Sequence, residues 1–162
     1  MTSPTESRPS LARLVWTPVG LLVSWILLMW VIEFVDTVAL DDRLQRHGLR
    51  PREVDGLDGI MWAPFLHTDF GHLASNTVPF LALGGLVAVR GMRHWAWITT
   101  ITIVIGGGAT WLLGGSGLHV GASGVVFGYF GAILGAAVFE RRVRTLGAAL
   151  IALGFYSSLI AG

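Results

Sequence analysis

HWAWITTITIVIGGGATWLLGGSGLHVGASGVVFGYFGAILGAAVF, residues 94–139, contains no Asp, Glu, Lys or Arg. Drawn out as one α-helix at about 1.5 Å per residue it would reach roughly 69 Å, about twice the thickness of a bilayer core. The stretch must therefore fold back on itself. Gly114-Gly115-Ser116-Gly117 is the place, because glycine and serine favour turns. Two apolar helices joined by a short glycine-rich turn are the signature of a chain that crosses a membrane repeatedly.

Composition agrees. Of 162 residues, 53% are apolar and only 13% are charged, against about 25% charged in an ordinary soluble domain. Mean hydropathy is +0.67. The absence of cysteine excludes disulfide frameworks, zinc thiolate sites and cysteine nucleophiles. The basic residues are all arginines, and a net charge of +1 implies no nucleic-acid partner. No metal-ligand cluster is visible, so chemistry without metal or cofactor is expected. Gly106-Gly107-Gly108 lacks the following lysine of a phosphate-binding loop and reads as a close helix contact or a kink.

Hydropathy predicts an all-α, polytopic membrane protein with five spans at about 14–32, 73–89, 95–113, 120–139 and 146–161. Residues 1–13 are polar and are expected to be a disordered cytoplasmic tail. The first apolar run is too long for the h-region of a signal peptide and has no small-x-small cleavage site after it, so it is read as a transmembrane helix. With the N-terminus inside, the inner segments hold Arg8, Arg13, Arg90, Arg93, Arg141, Arg142 and Arg144, and the outer ones Arg43, Arg46, Arg50 and Arg52. The positive-inside rule favours that orientation. Residues 33–71 mix charge with Leu57, Ile60-Met61-Trp62 and Phe65-Leu66. Short helices lying at or in the outer interface are expected there.

Two polar islands interrupt the apolar pattern. Gly121-Ala122-Ser123-Gly124 opens the fourth span, and His72-Leu73-Ala74-Ser75-Asn76 opens the second. Polar side chains within membrane helices are costly and mark function. Taken alone, Ser123 reads as a small packing residue of the kind common at membrane helix contacts. Gly121 and Gly124 leave the backbone around it open, and Gly124, Gly128, Gly131 and Gly135 recur at one helical face, a stripe suited to tight packing. His72 and Asn76 are one helical turn apart and share a face. Both can donate hydrogen bonds to a developing oxyanion. A hydroxyl nucleophile on one span and two donors on another are the equipment of acyl transfer. His67 lies just before this helix, where it can brace the loop.

At this point the chain resembles a known family. His67-x4-His72-x3-Asn76 followed by Gly84-Gly85, then Gly121-x-Ser123-Gly124 with Phe127-Gly128, looks like the rhomboid intramembrane serine proteases. Gly48-Leu49-Arg50-Pro51-Arg52 leading to Phe65-Leu66-His67 is similar to the loop before the second helix in bacterial members. The resemblance implies a six-helix core in the cell membrane, with Ser123 as nucleophile. It places His72 and Asn76 in the oxyanion hole together with the Ser123 N–H. The implied substrates are single-pass membrane proteins with a helix-destabilising segment, since a helix must unwind before its carbonyl can be attacked.

The family's general base is a histidine on the sixth helix. The histidines here are at 47, 67, 72, 94 and 119, all before Ser123, and a serine hydroxyl is a weak nucleophile without a base. Five of six core helices are accounted for, so a truncated form of a longer rhomboid is expected, with the base on a missing sixth helix. His119, four residues before Ser123, is the substitute to consider. The alternative function is a non-catalytic, rhomboid-like protein that binds membrane helices.

Overall fold

The computed structural model describes residues 11–140 and the single residue 147, with side chains from Pro18 onward. Four helices among them are long and apolar enough to cross a membrane. They are α1 (Leu11–Ala39), α2 (Phe70–Ala88), α3 (Met92–Leu113) and α4 (Ser123–Glu140). The architecture is an all-helical membrane bundle. The expected fifth span, the 1–13 tail beyond its last three residues, and Arg141, Arg142 and Arg144 lie outside the described residues.

The first expected span ended at residue 32, but α1 runs on to Ala39. Glu33, expected at the end of the span, and Asp36 turn inward and are buried, while Phe34, Val35 and Val38 stay exposed on the outer side. The Asp36 carboxylate then accepts the Leu44 N–H at 2.8 Å and its carbonyl accepts those of Leu40 and Asp42. The helix end is thereby satisfied from within its own chain. Asp41 and Asp42 adopt left-handed backbone, a conformation that aspartate tolerates better than most residues.

Residues 40–69 form four short helical turns, at Leu44–His47, Val54–Gly56, Gly59–Trp62 and Ala63–Phe65. Val54, Met61 and Trp62 point outward as an apolar fringe. Phe65 points inward, its ring 4.7 Å from that of Trp25, which also meets Trp95 edge-on at 5.7 Å.

Helix α3 is interrupted by a π-helical stretch at Thr102–Gly106. It lies where α3 meets α4, because Thr102 occupies the space that a Cβ at Gly128 would take. The predicted four-glycine stripe reduces to this one position among the described residues: a Cβ at Gly124, Gly131 or Gly135 would meet nothing within 4 Å. Gly107 admits Ile60 of the 40–69 segment. The core is built from Leu22, Met29, Leu73, Phe80, Leu83 and Tyr129. The Tyr129 hydroxyl pairs with Thr99 at 2.8 Å, joining α4 to α3.

The Gly128→Val variant should lose about 1–3 kcal/mol, since the added methyls cannot fit without moving Thr102. Thermal unfolding in detergent reads this out. An unchanged midpoint would show that the α3–α4 contact is not close-packed.

Candidate active site

The second expected span began at residue 73, whereas α2 begins at Phe70. The reason is Asp69, whose carboxylate accepts the His72 N–H at 2.8 Å as an N-cap. His72 therefore sits in the first turn, with Asn76 directly above it on the same face. Asn76 is buried and donates one amide proton to the His72 carbonyl at 2.9 Å. Its second proton remains for the cleft.

The fourth expected span began at residue 120, whereas α4 begins at Ser123 itself. Gly121 holds φ at +107°, a conformation open to glycine and strained for other residues. A Cβ there would also stand 2.8 Å from His72 Cε1 and Nε2. Glycine at 121 thus serves two purposes: it makes the turn that starts α4, and it lets that turn press against the His72 ring. Ser123 follows at the helix N-terminus, where its N–H has no intrahelical partner and the dipole favours negative charge. Gly124 borders open space.

Ser123, His72 and Asn76 line one cleft of about 200 Å3, together with Ser75, Pro79 and Phe127. On its other side Ser123 borders a second cavity of about 350 Å3 between α3, α4 and the 40–69 segment. Thr102, Thr110, Pro64 and His119 line that cavity. His119 was weighed from the sequence as a substitute base, whereas Pro64, Thr102 and Thr110 were not, because no short-range spacing brings their segments together with Ser123.

The loop carrying Ser123 is fastened to the 40–69 segment. Leu49 and His119 exchange backbone hydrogen bonds of 2.9 and 2.8 Å in an isolated antiparallel bridge. The Gly121 N–H donates to the Ala63 carbonyl at 2.8 Å. Arg52 donates to the carbonyls of Leu112 and Gly114 at the end of α3, and Trp111 Nε1 donates to the Glu53 carbonyl.

His67 is fully buried, and among the described residues neither ring nitrogen has a hydrogen-bond partner. It does not brace the loop by hydrogen bonding. Instead its ring packs edge-on against His72, with centroids 5.3 Å apart. Burial, followed by the neighbouring His72, pushes its imidazole down to about 4; the backbone at Phe65 opposes this without reaching hydrogen-bond geometry. His47 pairs with Asp58 at 3.0 Å. His119 Nε2 lies 3.1 Å from the Gly115 carbonyl. Among the described residues no group of His, Asp and Glu could hold a metal ion.

The profile of the Rhomboid domain matches residues 57–162, which include both polar islands. The chain belongs to the rhomboid family. Its relatives include uncharacterized proteins of Mycobacterium bovis and Mycobacterium tuberculosis, each 33% identical over 168 residues, a match spanning 99% of this chain and 68% of the relative. An uncharacterized protein of Mycobacterium leprae is 36% identical over 137 residues, covering 80% of this chain and 54% of that protein. No solved structure matches. Apolar helices and family together make this rhomboid a multi-pass membrane protein.

The buried His67 gives a pH prediction. Its folded-state value lies below the ordinary 6.5, so the unfolded chain binds the extra proton first. The stability it contributes is complete above about pH 6.5 and is lost as pH falls toward 4, up to about 3 kcal/mol. Thermal unfolding of the unmodified protein and of His67→Leu, compared between pH 7 and pH 4.5, should show a shallower acid loss in the variant. Parallel curves would mean that His67 does not stay neutral in the fold.

Proposed function

We propose that this rhomboid is an intramembrane serine endopeptidase that cleaves single-pass membrane proteins through an acyl-enzyme on Ser123. The single observation that carries this is the shared cleft of Ser123, His72 and Asn76 at the facing N-terminal ends of α4 and α2. The Ser123 oxygen attacks the scissile carbonyl. The resulting oxyanion is met by the Asn76 amide, by His72 and by the Ser123 N–H, all on fixed backbone. The Gly121 N–H is committed to Ala63 and takes no part. The general base is assigned, by resemblance, to a histidine of a sixth helix. The N-terminus is placed on the cytoplasmic side by arginine distribution. The 40–69 segment lies in the outer leaflet, where its apolar fringe meets lipid.

The full-length protein should label with a fluorophosphonate probe, and Ser123→Ala should abolish the labelling; persistent labelling would remove Ser123 from the mechanism. Asn76→Ala should slow cleavage of a membrane substrate by about 10²–10³-fold in kcat with the fold intact. A negligible change would leave Asn76 with a packing role only.

A chain ending at Gly162 should show little or no proteolysis. Robust cleavage dependent on Ser123 would instead move the base to His119, which shares the larger cavity with Ser123.

A further inference from the structure

The Thr68 side chain stands between Asp69 and His72. Its Oγ1 is 3.0 Å from Asp69 Oδ2 and 3.1 Å from His72 Nδ1. A hydroxyl has one proton to give. A carboxylate can only accept, and a hydrogen bond to a charged acceptor is the stronger of the two available. The Thr68 proton therefore goes to Asp69, and Thr68 must accept from His72. That puts a proton on His72 Nδ1. The opposite edge of the ring, Cε1–Nε2, faces Gly121 and the Ser123 cleft.

We infer that Thr68 and Asp69 are positioning residues that fix the tautomer of His72, so that its Nε2 can donate into the Ser123 cleft only when the ring is the imidazolium. This rests on the acyl-transfer reading of Ser123. In the neutral ring Nε2 carries a lone pair, which repels an oxyanion. In the cation both nitrogens donate: Nδ1 to Thr68, and Nε2 to the developing negative charge. Asp69 supplies the counter-charge through Thr68.

The groups around this ring fit the assignment. Asp69 is held below the usual carboxylate range, first by the His72 backbone N–H and then by the Thr68 hydroxyl, so it is an acceptor at neutral pH. The facing ring from the preceding loop, His67, is pushed to about 4 and is neutral there. From α1 and the turn after it, the acidic groups Asp36 and Asp42 lie, with Asp69, near enough to Glu33 to interact with it. From α4 the cleft receives Ser123, Val126 and Phe127, which bring no charge.

The decisive variant is Asp69→Asn. Asparagine caps a helix about as well as aspartate, so α2 is kept. The new amide group would donate to Thr68 Oγ1, which frees the Thr68 proton for His72 Nδ1. The direction of the relay reverses, and the neutral ring then carries its proton on Nε2. Fluorophosphonate labelling of the unmodified full-length protein should fall by about tenfold on the alkaline side. The Asp69→Asn variant should lack that alkaline fall, and Thr68→Ser should keep it. An equal alkaline fall in the Asp69→Asn variant overturns the assignment.

A second measurement does not depend on catalysis. 15N-histidine spectra of the protein in lipid nanodiscs, with His72→Asn used for signal assignment, should show the neutral His72 ring protonated on Nδ1. Protonation on Nε2 would overturn the inference even if labelling is robust. If Ser123 does not label at all, the acyl-transfer reading fails while the spectra still decide the tautomer.

Discussion

Irregular backbone in an apolar setting must find its hydrogen-bond partners inside the protein, because lipid offers none. Two irregular segments of this chain, 40–69 and 114–122, meet that demand by pairing with each other. Leu49 bridges His119, the Gly121 N–H takes the Ala63 carbonyl, and Arg52 covers the carbonyls of Leu112 and Gly114. The turn that presents Ser123 is thus tied by main-chain hydrogen bonds to a segment distant in the sequence.

The helices contribute close approach rather than polarity. Gly84 brings α2 against Leu22 and Tyr129, and Gly128 brings α4 against Thr102. Where side chains are small, backbones come near enough for van der Waals contact to hold helices that the hydrophobic effect does not drive together in lipid. The few buried polar groups are tied where they can be, as Tyr129 is to Thr99. Among the described residues the exceptions are His67, Glu33 Oε1 and Trp95 Nε1, and of these His67 packs against His72 beside the cleft. Unpaired polarity is costly, and at His67 it lies beside the proposed chemistry.

Much of this was legible in the sequence. The uncharged run at 94–139 announced membrane helices, and the spacing of His72 and Asn76 announced a shared face. Helix boundaries were less legible, for specific reasons. Glu33 read as the end of a span by charge, yet it and Asp36 turn inward and the helix continues. Asp69 stood three residues before His72, the ordinary position of an N-cap, and was hidden by taking the first apolar residue as the start of the helix. The start of α4 is set by the positive φ of Gly121, pressed against a ring fifty residues upstream. The Leu49–His119 bridge and the Ala63–Gly121 bond join main-chain atoms, which leave no signature in side-chain identity.

The π-helical stretch at Thr102–Gly106 has a further effect. A π-turn accommodates one more residue than the regular helix, and one residue is about 100° of rotation. The two halves of α3 are therefore out of phase. The lower half aims Thr99 at Tyr129, and the upper half aims Trp111 at Glu53. Removing one residue between them would yield a smoother helix and a looser protein. Trp111 would swing away from its carbonyl, and the clamp on the Ser123 turn would open with every residue of the cleft still in the sequence.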